Sequence, residues 1–326
     1  MSLHVLVTGA AGFIGGHLCR VLLDDGCAVT GVEAFAPYYD RSIKERHIAA
    51  VVGHPRFALI EADVRAPDAW HDAATRADVV VHLAARPGVR ASFRAPVATM
   101  EINAGGTAAV LETCRRAGVS RLVIGSSSSV YGEVRGAARE EGSTVRPLSP
   151  YGVSKRAAEL LADAYAVGCG FRTALLRLFS VYGPGQRPDQ AFHRFADAMA
   201  QGRAVEQFGD GGSARDYTHV TDAVRGIVAA IHWTGGAEPR AEAFNIGSGR
   251  PVPLRDALGL LGTALRVEPR VRQTAARRGD PYRTHADLAK AGTVLGYAPS
   301  VTLEDGIENF VRWYEAIYGR ESRTTA

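Results

Sequence analysis

The chain has 326 residues, 46% of them apolar and 22% charged, enough for one large globular unit or two modest ones. The net charge is +4 and no basic run has nucleic-acid character, so no DNA or RNA partner is expected. No apolar run reaches the ~18–20 residues of a membrane span, strand-like sequence begins at Leu3, and no Cys-x-x-Cys or His/Cys metal spacing occurs, so a cytoplasmic protein without leader, membrane partner or metal is expected.

His4–Thr8 is a short apolar run closed by glycine, the pattern of a buried strand. Gly9, Gly12 and Gly15 follow in the turn Gly9-Ala10-Ala11-Gly12-Phe13-Ile14-Gly15, and then the helical pattern Leu18, Val21, Leu22. Strand, glycine turn and helix form the context of a dinucleotide site. The first glycine permits a tight turn, the second lets backbone approach a pyrophosphate at the helix N-terminus, and the third lets helix pack on strand. The spacing is G-x-x-G-x-x-G, not the G-x-G-x-x-G of many dehydrogenases. A second strand over 28–32 ends at Glu33, near the place ~20 residues beyond the glycines where an acid binds the adenosine ribose. A carboxylate there repels a 2′-phosphate and favours NAD over NADP; the plainer alternative is a solvated acid at a strand end.

A third strand over 57–60 runs into Glu61-Ala62-Asp63-Val64, and a fourth over 78–85 is apolar enough to be central, with His82 as a satisfied core histidine. A long helix is expected over 96–117. The fifth strand, 122–124, ends in Gly125-Ser126-Ser127-Ser128-Ser129-Val130-Tyr131-Gly132. The next helix opens with Ser149 as N-cap and Pro150 at its first position. Tyr151 and Lys155 lie at i and i+4 on one face, where a phenol and an ammonium can meet in one site. A nearby Lys⁺ lowers a phenol pKa from about 10, and a serine hydroxyl beside that base can hold a substrate alcohol, which is equipment for moving a proton to or from a secondary alcohol.

A sixth strand covers 173–179. Strands alternating with helices predict an α/β, doubly wound parallel sheet of Rossmann type with a smaller C-terminal α/β unit. The expected division gives 1–180, with about 217–245, to the cofactor, and 181–216 with 246–326 to the substrate. In that second part, 215–220 is expected to open a helix, 254–265 to form an amphipathic helix, 277–280 a polar turn and 307–318 a final helix, with a frayed tail over 320–326.

Jointly these residues resemble the extended short-chain dehydrogenase/reductase family, in its nucleotide-sugar epimerase and dehydratase branch. Thr8-Gly9-Ala10-Ala11-Gly12-Phe13-Ile14-Gly15, Asp63-Val64, His82-Leu83-Ala84-Ala85, Tyr151-x-x-x-Lys155 and Arg215-Asp216-Tyr217 carry the resemblance from end to end. Pro37-Tyr38-Tyr39-Asp40, Pro87-Gly88-Val89-Arg90-x-Ser92, the serine cluster and Gln186-Arg187-Pro188-Asp189 are most similar to UDP-glucuronate 4-epimerases.

The resemblance implies tightly bound NAD and a UDP-sugar substrate. Tyr151 would be the general base, Lys155 would lower its pKa and bind the nicotinamide ribose, and Ser127 would position the sugar hydroxyl, with Ser126 and Ser128 as rivals. Gly9, Gly12, Phe13, Ile14, Gly15, Glu33, Lys44, Asp63, Val64, Leu83, Ala84, Ala85 and Asn103 would serve the cofactor. Gly88, Arg90, Ser180, Arg187, Phe208, Arg215, Arg277 and Asp280 would serve the substrate, Arg215 and Arg277 at the diphosphate and Phe208 near the uracil. Arg187 and Ser180 would hold a carboxylate at carbon 6.

Related dehydratases and decarboxylases carry an acid just before the Tyr-Gly of the serine strand, where this chain has Ser128, Ser129 and Val130. Oxidation at carbon 4, turning of the keto sugar and re-reduction are therefore expected, without elimination. The rivals are a UDP-glucose 4-epimerase, a UDP-glucuronate decarboxylase and a non-catalytic NAD-binding regulator on the same fold. The family usually forms dimers through its two long helices, so a homodimer is also expected.

Overall fold

The computed structural model describes residues 3–275 and 281–319. The first four strands are β1 (His4–Thr8), β2 (Ala28–Glu33), β3 (Phe57–Glu61) and β4 (Val79–His82). They are followed by β5 (Arg121–Ser127), β6 (Arg172–Leu178), β7 (Ser180–Tyr182), β8 (Val205–Phe208), β9 (Ala214–His219), β10 (Arg240–Ile246), β11 (Pro251–Pro253) and β12 (Val271–Thr274). Seven strands form one sheet in the order β10-β6-β5-β4-β1-β2-β3, parallel throughout. The order reverses beside β1, and this switch point opens the crevice above the strands' carboxyl ends.

Helices cover both faces of the sheet, so its strands read as near-continuous apolar runs. Alternation then sorts them: Val123 faces one core with Leu18, Leu22 and Ile227, while Leu122 and Ile124 face the other with Leu111 and Ala162. β4 is central, as its apolar sequence predicts. His82 is fully bonded inside it, to Thr8 Oγ1 at 2.8 Å and Thr107 Oγ1 at 3.2 Å, and burial pushes its imidazole down to about 3. Cys19 and Cys114 are buried free thiols.

The helix expected over 96–117 is interrupted. Pro96–Met100 and Gly106–Ala117 are α-helical, and Glu101–Gly105 forms a π turn between them. A π turn widens the helix by one residue and turns a side chain inward; here that residue is Asn103.

A second correction concerns Arg215-Asp216-Tyr217. These residues lie on β9, not in a helix, and the helix begins only at Val220. Their alternation is that of a strand: β9 pairs with β7 on one side and β11 on the other. A third core, around Phe192, Met199, Leu258, Leu261 and Phe310, joins the helices Ala191–Ala200, Leu254–Leu265 and Leu303–Tyr318. β8 and β12 form a separate parallel pair. The polar turn and the tail expected at 277–280 and 320–326 lie outside the described residues. Among the described residues, no helix is long and apolar enough to cross a membrane.

Candidate active site

One cleft of about 1500 Å³ runs along the carboxyl ends of the strands and under the third core. Its floor begins at the glycine turn. Gly9 has φ +72°, and a Cβ at Gly15 would stand 2.1 Å from the Gly9 carbonyl oxygen, so neither position admits a side chain. The helix Phe13–Asp24 starts at Gly12 without a side-chain cap, leaving the first-turn N–H groups of Phe13, Ile14 and Gly15 open to an anion. At the end of β2, Glu33 is 7% exposed; its Oε1 accepts from the Phe35 N–H at 3.1 Å and from Lys44 Nζ at 2.9 Å. Lys44 thus pairs with Glu33 and lines the same end of the cleft. Asp63 is held in place by Arg65, and Val64, Leu83, Ala84 and Ala85 line the wall beside it. This donor turn, buried acid and apolar wall suit the phosphates, ribose and adenine of a dinucleotide.

Asn103 does not line the cleft. It accepts from the Arg86 N–H, donates to the Arg86 carbonyl, and donates to Ser154 Oγ at 2.9 Å on the helix Pro150–Cys169. Its support of the pocket is therefore indirect, through the backbone that follows β4.

The helix Pro150–Cys169 has the expected start: Ser149 Oγ accepts from the Gly152 N–H, and Pro150 stands in the first turn. Tyr151 and Lys155 both face the cleft. Lys155 Nζ donates to the Gly125 carbonyl at 2.7 Å, and burial pulls its ammonium down to about 8, against the opposing pull of Glu159. Burial pushes the Tyr151 phenol above its ordinary value, while a hydrogen bond with Ser127 and the charge of Arg187 draw it back. The Lys155 ammonium is bonded to a strand carbonyl, and desolvation dominates the phenol.

The three rival serines separate by partner. Ser126 Oγ donates to Glu159 Oε1 at 2.6 Å and is committed to the interior. Ser127 Oγ meets Ser129 Oγ at 3.1 Å, accepts from the Ser129 N–H at 3.1 Å and is bonded to Tyr151. Ser128 opens the short turn Ser128–Val130 and lines the cleft. Ser127 is therefore the serine joined to the phenol, and a substrate contact by the Ser126 hydroxyl is not supported.

Glu159 is fully buried and forms a two-point pair with Arg177, at 2.9 Å to each oxygen. Arg177 Nη1 donates to the Tyr131 hydroxyl at 3.0 Å, which donates to Asn245 Oδ1 at 2.8 Å. Burial pushes the Glu159 carboxyl up, yet the bonds from Arg177, Ser126 and Arg156 hold it below its ordinary value. A charge inside the apolar strand Leu175-Leu176-Arg177-Leu178, and an acid four residues after Lys155, were the sequence signals for this network.

On the far wall, Ser180, Arg187, Phe208 and Arg215 line the cleft with Gly88 and Arg90. Arg90 lies over the Phe208 ring at 4.8 Å. Arg215 Nη1 donates to the carbonyls of Ala214 and Tyr282. Arg187 carries a partner that the sequence reading missed: Asp189 accepts from its Nε at 2.9 Å and its Nη2 at 3.0 Å. Tyr38 was also missed as a site residue. It lines the cleft, its hydroxyl donates to the Pro87 carbonyl, and the Arg86 guanidinium lies 5.3 Å from its ring. Arg277 and Asp280 lie outside the described residues.

Comparison with known proteins gives a consistent set of likenesses. The profile of the NAD dependent epimerase/dehydratase family matches residues 5–247. A UDP-glucuronate 4-epimerase of Thermodesulfobacterium geofontis is 33% identical over 95% of this chain and 95% of its own. An uncharacterized UDP-glucose epimerase of Bacillus subtilis, YtcB, is 36% identical over 98% of this chain and 100% of its own. Among solved structures, UDP-glucuronic acid 4-epimerase from Bacillus cereus, crystallised with UDP-glucuronic acid and NAD, superposes with a TM-score of 0.92 at 36% identity. That likeness covers 97% of this chain and all of the other.

Proposed function

The chain belongs to the NAD-dependent epimerase/dehydratase family, and we propose that within it this protein is a 4-epimerase interconverting UDP-glucuronate and UDP-galacturonate. The observation that carries the choice of reaction is the turn next to Tyr151. Ser127, Ser128 and Ser129 offer hydroxyls to the cleft, and Val130 behind them is a buried isopropyl group, so the turn holds no carboxylate. With no acid in that turn to drive elimination, reduction is the step left for the keto sugar formed by oxidation at carbon 4, provided its carboxylate is kept from leaving as carbon dioxide.

The cofactor is NAD, which when bound supplies the acceptor and later the donor of the hydride at carbon 4. On our reading the glycine turn and the open N-terminus of Phe13–Asp24 hold its pyrophosphate. Glu33, with Lys44 on Oε1 and Oε2 still available, takes the ribose hydroxyls. Tyr151 accepts the proton of the carbon-4 hydroxyl and returns it, with Ser127 fixing that hydroxyl against the phenol. Lys155, held on the Gly125 carbonyl, supplies positive charge on the ribose side of the site.

Arg187 and Ser180 receive the carbon-6 carboxylate, because a buried carboxylate needs charged or multiple donors. They also hold it in an orientation that resists loss of carbon dioxide from the β-keto acid. Phe208 and Arg215 serve the uracil and diphosphate. The same reading assigns the large sheet to the cofactor and the third core to the substrate, and puts the enzyme in the cytoplasm. It makes the enzyme a homodimer through an exposed stripe on Pro150–Cys169, where Val153, Leu160 and Val167 recur every seven residues, close to Phe93 and Val97.

The test is incubation of the purified protein with UDP-glucuronate and no added reductant, followed by separation of the products. UDP-galacturonate is expected. Conversion of UDP-glucose alone, or release of a UDP-pentose, would overturn the reading.

A further inference from the structure

We propose that His47 is a positioning residue that straps the glycine-rich turn to the loop carrying Arg187, so that one imidazole fastens the cofactor side of the cleft to the substrate side. His47 sits on the helix Arg41–Ile48 and lines neither part of the cleft. Its Nδ1 lies 3.0 Å from the Ala11 carbonyl, inside the turn Gly9–Gly15. Its Nε2 lies 2.8 Å from the Gly185 carbonyl, two residues before Arg187. The adjacent Pro184 carbonyl is met by His17 Nε2 at 2.8 Å, from the helix Phe13–Asp24. Two successive carbonyls of the Arg187 loop are thus held by imidazoles that belong to the dinucleotide half of the molecule.

The chemistry of the strap follows from its acceptors. Both ring nitrogens of His47 face carbonyl oxygens, which can only accept. The imidazolium donates at both ends; the neutral ring donates at one and sets a lone pair against a lone pair at the other. Burial pushes the imidazole down from its ordinary 6.5, the two carbonyls pull it up, and Arg46 on its own helix and Arg187 on the loop push it down again. His17 is the neighbouring titratable group, itself facing Arg20 and His219. The doubly donating state therefore belongs to the acid side of neutrality, and the loop end or the turn end of the strap loosens as the proton leaves.

This proposal rests on the reading of the cleft as a site for NAD and a UDP-uronate. The experiment uses the NAD-loaded protein and follows KM and kcat for UDP-glucuronate from about pH 5 to about pH 8. In the wild type, KM is expected to rise about fivefold as His47 loses its proton, the size of one hydrogen bond, while kcat changes less than about twofold. His47→Gln, with one donor at most toward the pair, should show the higher KM at every pH. His47→Arg, with donors for both carbonyls at all pH, should keep the low KM to about pH 8. A His47→Gln enzyme with the wild-type KM and pH profile would overturn the proposal.

Should the variants fail to fold, nitrogen NMR of the wild-type imidazoles decides. Both His47 nitrogens should be protonated at the acid end, with one proton released over the range in which KM changes. A ring that keeps a single neutral tautomer throughout refutes the strap. If the wild type turns over UDP-glucose and not UDP-glucuronate, the functional reading fails, and the same KM profile taken with UDP-glucose still judges His47.

Discussion

Asn103 Oδ1 accepts the Arg86 N–H at 2.7 Å, and Asn103 Nδ2 donates to the Arg86 carbonyl at 3.1 Å. One amide, turned inward by a π turn, thus fixes both backbone groups of the residue that leads from β4 into the substrate wall. The same Nδ2 reaches Ser154, between Tyr151 and Lys155 in sequence. Asn103→Leu should leave these groups unpaired in a buried place and cost about 2–4 kcal/mol. Urea unfolding would measure the loss, and retention of NAD through gel filtration should fall with it.

On the proposed reading Tyr151 and Ser127 form the proton-handling pair, whereas Ser126 is bound to Glu159. Tyr151→Phe should lower kcat by roughly 10³-fold and Ser127→Ala by roughly 10–100-fold, each with NAD still bound. Ser126→Ala should instead lower the unfolding midpoint and spare most of kcat. Steady-state rates and thermal unfolding on the three variants check the assignment. Equal losses of kcat for both serine variants would contradict it.

Lys155 is 6% exposed, with its ammonium held at about 8 against an ordinary 10.5. Between those values the unfolded chain binds more protons than the folded one, so the wild type gains stability as pH rises through that window. Below pH 8 the buried charge costs about 3 kcal/mol. Lys155→Met should be inactive throughout. Its stability relative to the wild type should be most favourable near pH 7 and should worsen steadily toward pH 10.5, as urea midpoints would show. A constant difference would contradict the depressed lysine.

Arg187 meets the cleft already bonded to Asp189 through Nε and Nη2. On the proposed reading a uronate must therefore use the remaining donors or draw the guanidinium off Asp189. Arg187→Ala should raise KM for UDP-glucuronate about tenfold or more, the worth of a charged hydrogen bond, with little change for UDP-glucose. Asp189→Asn should shift the uronate KM the other way. Product analysis of Arg187→Ala should also detect UDP-pentose.

Val153, Leu160 and Val167 stand 45%, 52% and 91% exposed along one helix face, so a second copy is expected to cover them. Leu160→Glu with Val167→Glu should shift the particle from dimer to monomer in light scattering while leaving the sheet intact by circular dichroism.

Much of the cleft was legible in the residues themselves. The glycine turn, Glu33, Tyr151 and Lys155 each depend on local geometry: a φ that only glycine tolerates, a strand end, a helix face repeated every four residues. Such relations are short-range, and the chain order alone determines them. The serine cluster was legible as a group, but its working member was not, since three adjacent hydroxyls differ only in what tertiary packing puts against them. Glu159 and Arg177 lie eighteen residues apart and meet because β5, β6 and the helix Pro150–Cys169 are layered. That meeting removes Ser126 from the site and leaves Ser127 with the phenol.

The same holds for the residues whose behaviour changed between sequence and structure. Spacing put Lys155 beside Tyr151 but could not show that Gly125 would take the ammonium or that burial would outweigh it. The family resemblance suggested Arg187 for the substrate carboxylate but not its pairing with Asp189, and nothing in the sequence pointed to His47. Sequence determined which chemical groups are present and which local turn each stands on. Tertiary structure decided which groups are already occupied, because hydrogen bonds and desolvation depend on neighbours that the fold brings from as far away as His47 is from Gly185.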